Sequence, residues 1–403
     1  MKNILIAIRS IFKKGRHNVM KIVSLGIGLA VGLVLIAKVY FEQSYDDFYP
    51  DRDRVYQVWA KYQQNGGELK DYPQTSGGIA PTMQQQIPEI ETVTRYTSFG
   101  DWTFTMTDTK MKYSGRCIIA DSCFFDILPR PMLIGNAKEV LSTPMYVLIS
   151  SRIAKNIGGD VIGKNFTVDN SPGRTMTIGG VFEEVPENSH SRYDVIVSMA
   201  SAGRFMWEGS PTNMLGNDRY ISYVKLHKGV NPLALEEQVR TFVNSYFPPE
   251  EQQKVGLSID FSFHKLDNLH KELPQVKRMT WILSLLAFAL IFTAVMNYIL
   301  IVISSIVNRS KEVAVHKCYG ASENNIHGMM FGEALVHIVL SLILALLLIL
   351  AFRGTVEELL ATSLDSLLLS NGSLVLLGIC ILVFFVSGFM PGSLYARIPV
   401  ASA

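Results

Sequence analysis

Apolar residues in this 403-residue chain collect in four long runs, with polar and mixed sequence between them. A bilayer's hydrocarbon core is about 30 Å thick, so a spanning helix needs about 20 largely apolar residues. The first run, 22–41, is interrupted only by Lys38, whose long stem can carry its charge to the interface. The second, 276–307, holds 27 consecutive uncharged residues from Trp281 to Val307. The third, 329–352, carries Glu333 and His337 near its start; the fourth, 374–390, is 17 residues closed by Pro391 and Gly392. The pattern predicts an α-helical membrane protein with four transmembrane helices.

Between the first two runs lie residues 42–275, 234 residues of mixed polarity, enough for a core of their own. Strand-like alternation is visible at 54–60, 103–106 and 220–226, with further strands expected at 166–168 and 175–181. Residues 79–87 read as a helix stopped by Pro88, and 232–246 as an amphipathic helix opened by Pro232. Turn-forming Gly, Pro, Asn and Ser are denser from about 140 to 218. That segment is expected to be a β-rich insert in a large α+β domain.

Composition narrows the class. Hydrophobic residues make up 48%, charged residues 18%, and the mean hydropathy is +0.23, which excludes a disordered chain. A net charge of +2 offers no field to recruit nucleic acid. The short loops set the orientation, because cytoplasmic loops carry an excess of Lys and Arg. Residues 1–21 hold Lys2, Arg9, Lys13, Lys14, Arg16 and Lys21 and no acid. The 308–328 connection has Arg309, Lys311 and Lys317 against Glu312 and Glu323, and the 391–403 tail has Arg397 alone. The 353–373 connection has Arg353 against Glu357, Glu358 and Asp365. Both termini and 308–328 are therefore expected in the cytoplasm, with 42–275 and 353–373 outside. Residues 2–16 separate an apolar from a basic face, as suits a helix lying in the inner interface. A retained anchor is favoured over a signal peptide, since no clear A-x-A cleavage site follows the first run.

Most of the candidate chemistry fails on spacing. Gly158 to Asn165 nearly matches G-x-x-x-x-G-K-[ST], but Asn165 stands where a Mg²⁺-binding hydroxyl is needed. A strand pattern follows where a helix is required, so a glycine turn is expected. Cys117 and Cys123 lie in the outer segment, where a bridge and two separate buried thiols are both compatible with the spacing. His190, Asp194, His264, Asp267 and His270 have no spacing that fixes a metal or acid–base geometry. No catalytic, metal or cofactor site is expected. Glu333 and His337 share a helix face at membrane depth, which raises a proton relay against a structural or signal-transmitting role.

Residues 308–331 read NRSKEVAVHKCYGASENNIHGMMF. The second helix is expected to run on with Arg309, Lys311, Glu312, His316 and Lys317 exposed. Gly320 permits a sharp turn, and Ser322 with Glu323 opens a short new helix. The stretch Arg309-x-Lys311-Glu312-Val313-Ala314-Val315-x-Lys317-x-x-Gly320-Ala321-Ser322, followed by Phe331-x-Glu333-Ala334, resembles the signature of MacB/FtsX-type ABC transporter permeases. Pro391-x-x-x-x-Ala396-Arg397-x-Pro399-Val400 resembles that family's closing motif, loosened by one residue and without its final Leu-Arg. Phe124 to Leu128, Ile157 to Lys164, Ile178 to Phe182 and Pro186-x-Asn188-Ser189-His190 resemble landmarks of a MacB-like periplasmic domain.

The resemblance implies a porter-like α+β domain with its insert, carried by a permease without a nucleotide site of its own. A separate ATP-binding subunit would dock on Arg309, Lys311, Glu312, His316, Lys317, Gly320, Ala321 and Ser322, with Glu333 close behind. Two copies, or one copy and a related permease, would assemble in a bacterial inner membrane, with membrane lipid and an envelope adaptor as further partners. Efflux of peptides, antibiotics or similar substrates is the implied task; lipoprotein extraction, or transduction of force without transport, is the alternative. A receptor would need a cytoplasmic output module larger than these loops, and an anchored enzyme would need a catalytic constellation. Some relatives of about double length continue into a second four-span repeat, so the chain reads either as a complete subunit or as the first half of such a protein.

Overall fold

A bilayer offers no partner to a free backbone N–H or C=O, so a long apolar run must pair within itself as a helix. Among the residues described in this computed structural model, 18–169, 171–304, 323–368, 372, 375–383 and 385–386, three helices are long and apolar enough to cross a membrane. They are Asn18–Gln43, Pro274–Ile303 and Gly332–Ala351. Residues 375–383 of the fourth run are helical as well, and Val383 is buried against the other helices. The chain divides into two compact units: a span unit of Met1–Ser44 with Leu273–Ala403, and a sheet unit of Tyr45–Glu272. The basic face expected within 2–16 lies outside the described residues.

In the span unit the first helix packs against the other two. Leu25, Leu29, Leu33 and Val34 bury against Val295, Tyr298 and Ile299 of the second helix and Ile338, Ala345 and Ile349 of the third. Hydrocarbon drives no apolar association between membrane helices, so close packing of small residues does the work. A Cβ added at Gly28 would lie 2.2 Å from Ala294 Cβ, and one at Gly32 would lie 2.4 Å from Ile291 Cγ1. The Gly28-x-x-x-Gly32 stripe therefore sets the approach of the first two helices.

Two details here go beyond the sequence pattern. Lys38 does not stand alone: its side chain is 8% exposed and pairs with Glu42 at 2.7 Å. A lone charge at membrane depth costs about 3 kcal/mol on insertion scales, and the carboxylate one turn away offsets that cost. The helix opening at Glu323 is also not a short separate one; it runs unbroken to Ala351 as the third span.

Among its described residues the sheet unit has eleven strands: β1 Val55–Gln64, β2 Lys70–Tyr72, β3 Ile90–Met106, β4 Lys112–Ala120, β5 Met132–Ile134, β6 Tyr146–Ser150, β7 Asn165–Val168, β8 Ser171–Phe182, β9 Val195–Ser198, β10 Ile221–Leu226 and β11 Leu257–Lys265. The main path is β11-β1-β10-β3-β4-β9-β6-β8-β5; β2 pairs with β1, and β7 with β3 and β8. The pairs β4–β9 and β6–β8 are parallel. One end of the sheet carries the Ile79–Gln86 helix, which ends before Pro88, and the Glu236–Tyr246 helix. Ile79, Met83, Val239, Phe242 and Val243 fill the core between those helices and β1, β3, β10 and β11. A short 3₁₀ turn, Pro232–Leu235, precedes the second of these helices in place of the unbroken helix that the pattern predicts, and the Asn231 side chain caps it.

β3 is 17 residues long and leads from this lobe into the next. A bulge between Ser98 and Gly100, with Gly100 at φ +72°, turns it there. Beyond the bulge, Phe104, Ile119, Val147, Ile149, Val195 and Val197 form a second core. In another core, Tyr49, Tyr96, Phe124, Phe182, Tyr193 and Tyr223 gather as an aromatic cluster. The strands between 140 and 218 thus prolong one sheet; they do not fold as a sheet of their own.

Candidate functional site

Of the nine residues assigned to the coupling set, Arg309, Lys311, Glu312, His316, Lys317, Gly320, Ala321 and Ser322 lie outside the described residues. Glu333 is described and buried, one turn before His337, which is 1% exposed. The helical period brings both to the face of the third span that meets its neighbours. His337 Nδ1 lies 3.3 Å from the Tyr298 hydroxyl of the second span. Ser341, one turn further on, donates to the His337 carbonyl at 2.8 Å, with the Ile22 carbonyl of the first span 3.2 Å away. A polar seam therefore joins all three spans near the start of the third.

In the sheet unit the histidines and carboxylates singled out by sequence do not converge. Asp194 pairs with Arg152 at 2.6 Å. His264 stacks on Trp59 with ring centroids 4.1 Å apart, and burial holds its pKa below the usual imidazole value. No group of three or more metal-ligating side chains occurs among the described residues. Gly158, Gly159 and Gly163 all take positive φ, and β7 follows directly. That is a turn, without the helix that a phosphate loop needs. Cys117 and Cys123 are free thiols, both raised in pKa by burial.

The Pro186-x-Asn188-Ser189-His190 motif has a different task, which no local pattern signals. Asp46, in the left-handed region at φ 60°, is fully buried. Its backbone N–H donates to the Asn188 carbonyl at 2.9 Å. Its carboxylate accepts from His190 N at 3.2 Å and meets His190 Nδ1 at 2.7 Å, with the Ser189 hydroxyl 3.2 Å away. With Nδ1 donating to the carboxylate, His190 Nε2 receives the Tyr223 hydroxyl of β10 at 2.5 Å. Asp46 is thereby pinned to an interior strand of the sheet, three positions in sequence after Gln43.

The two ends of the unit are also tied together. Tyr45 stacks on His270, ring centroids 3.4 Å apart and nearly parallel. Lys271 reaches Asp47 at 3.3 Å and Asp267 at 3.0 Å, and Arg52 Nε lies 3.4 Å from Asp267. Arg52 and Asp47 are each about two-fifths exposed, so water weakens each pair and the cluster acts as a set.

Among the described residues, three helices long and apolar enough to cross a membrane, with a large α+β unit between the first two in sequence, fit a multi-pass membrane protein with a substantial domain outside its spans. Residues 20–242 match the MacB-like periplasmic core domain family, and residues 284–400 match the FtsX-like permease C-terminal family. The chain belongs to the MacB/FtsX family of ABC transporter permeases. A domain of a protein described as a permease, from Porphyromonas gingivalis, is 33% identical with a TM-score of 0.50; the match covers 54% of this chain and 91% of that one. The periplasmic region of MacB from Actinobacillus actinomycetemcomitans is similar at 14% identity and a TM-score of 0.37, covering 54% and 92%. The extracellular domain of the noncanonic ABC-type transporter YknZ from Gram-positive bacteria is similar at 11% and 0.36, covering 51% and 98%. No curated protein matches the chain.

Proposed function

We propose that this chain is a four-span permease subunit that turns ATP-driven movement of a separate cytoplasmic ATPase into movement of its periplasmic domain. The observation that carries the reading is the pairing, on one chain, of a MacB-like core over 20–242 with an FtsX-like permease segment over 284–400. Both termini and 308–328 face the cytoplasm of a bacterial inner membrane, 42–275 and 353–373 face the periplasm, and 374–390 is the fourth span. Residues 140–218 serve as the insert of the periplasmic domain. Two copies, or one copy and a related permease, bind two ATPase subunits through Arg309, Lys311, Glu312, His316, Lys317, Gly320, Ala321 and Ser322, backed by Glu333. The work is efflux of peptides, antibiotics or similar molecules from the envelope, with an envelope adaptor as a further partner.

The sheet unit is suited to be driven. Asp46 is pinned by His190 to β10, and Lys271 ties the departing end to Asp47. Force arriving at either end would reach the sheet through these contacts. Affinity purification of the full chain tests the reading: an ATP-binding subunit should co-purify, and Glu312→Arg or Gly320→Trp should lose it. Retention of that subunit by both variants would remove the docking role from 309–322.

A further inference from the structure

The connection after the third span is a built structure, although its length and charge mark it only as a loop. The Arg353–Leu360 helix ends at Ala361, whose φ of 49° reverses the chain. That reversal presents Thr362, 6% exposed, to the first span. Lys38 Nζ donates to Thr362 Oγ1 at 2.7 Å while pairing with Glu42 at 2.7 Å. The following helix, Leu364–Leu368, buries Leu364 and Leu367, and Leu364 joins the core that holds the three spans. Its first N–H donates to Glu357 Oε1 at 2.8 Å, and Arg353 bridges Glu357 and Asp365. Gly372 lies so close to the Tyr40 ring that an added Cβ would sit 2.4 Å from it.

A buried ion pair alone is weak support for stability, because apolar residues of similar size often serve as well. What Lys38 adds is reach. Its ammonium is already neutralised by Glu42 on the same helix and still has a proton for a hydroxyl on a different element. We propose that Lys38 is a positioning residue that locks residues 353–368 onto the end of the first span, so that the two move as one block. That the two move together rests on the permease reading, since it supposes that the first span moves; the lock itself does not.

Hydrogen exchange of the full chain in lipid nanodiscs, followed by mass spectrometry, tests the lock without nucleotide. Lys38→Met keeps the apolar stem, loses the charge and spares the bond from the Thr362 hydroxyl to the Leu360 carbonyl; Thr362→Val keeps the ion pair and loses the acceptor together with that 3.0 Å bond, so the rise must appear in both variants. Both should raise exchange over 353–368 by about tenfold or more, as expected for losing a hydrogen bond to a charged group, and leave 280–304 unchanged. Unchanged protection over 353–368 in Thr362→Val overturns the proposal. So does an equal rise in all the spans, which would make Lys38 a general packing residue. In a second arm, the permease with its ATP-binding subunit is compared with and without ATP. Protection at 36–43 and 353–368 should change together, and a change in one segment alone, or in neither, overturns the single block. Failure of an ATP-binding subunit to bind would count against the permease reading and leave the outcome of the first arm intact.

Discussion

Asp46 and His190 are separated by 144 positions in sequence and meet at 2.7 Å in a largely buried contact. The aspartate side chain is fully buried, and the histidine ring passes the connection on to Tyr223 of β10. Removing the ring leaves a buried carboxylate short of a partner. His190→Ala should therefore destabilise the Tyr45–Glu272 unit by about 3 kcal/mol, the upper range for a lost hydrogen bond to a buried charge. Asp46→Asn keeps a residue that tolerates the left-handed backbone and should cost less. Urea unfolding of the single and double variants checks this. The double variant should cost clearly less than the sum of the two, because both remove one interaction; additive losses would mean the contact carries little.

The tyrosines around that contact predict an alkaline limit. Burial raises the phenol pKa of Tyr49, Tyr193 and Tyr223 well above 10, and that of Tyr96 to about 12. In the unfolded chain each ionises near 10. The unfolded state then holds fewer protons than the folded state, so stability is intact below pH 10 and falls as pH climbs through 10 toward 12. A phenolate titration followed by ultraviolet absorbance should show most tyrosines ionising reversibly, with these four appearing only as the fold is lost. Tyr96→Phe should shift that loss to higher pH.

Asp51 marks the acid side. Hydrogen bonds from Lys225 at 2.6 Å and Arg54 at 3.1 Å hold its carboxyl below the ordinary value of 3.8. A depressed acid contributes stability above its unfolded pKa and loses it as pH falls through the folded one. The contribution should be flat from neutrality to about pH 4 and disappear below that. Asp51→Asn should flatten the acid limb of the stability curve measured by thermal unfolding, with a small effect at neutral pH because the carboxylate is partly exposed.

These contacts separate what is legible in the sequence from what is not. The first three spans are legible, because length and apolarity are local properties. So is the 79–86 helix, because Pro88 ends it in place. β3 shows its alternation only at 103–106, since the bulge at Gly100 and the charge of Asp101 break it further back. The continuity of the sheet through 140–218 rests on the parallel β4–β9 pairing and the antiparallel β3–β7 pairing, between strands far apart in sequence, which no window of residues contains. Lys38 is half legible for a related reason: its helix-mate Glu42 is visible at i+4, but Thr362 lies 324 positions away. The Asn188-Ser189-His190 motif stands out as a landmark, while its partner Asp46 gives no local signal.

The glycine stripe of the first span gives a prediction with an internal control. An added Cβ at Gly28 meets Ala294 Cβ at 2.2 Å, a stiff atom fixed to its own helix, with the Leu290 carbonyl at 3.5 Å. At Gly32 the nearest atoms belong to the Ile291 side chain, at 2.4 and 2.8 Å, which can change rotamer. Gly28→Ala should therefore force the helices apart and cost about 1–3 kcal/mol, the range for overpacking, while Gly32→Ala should cost less. Ala294→Gly removes the obstructing atom, so adding it to Gly28→Ala should recover part of the loss despite the poorer helix propensity of glycine. Thermal denaturation of the detergent-solubilised full chain decides the matter. Equal losses for the two alanine variants, or no recovery in the double variant, would show that these helices do not depend on contact at Gly28.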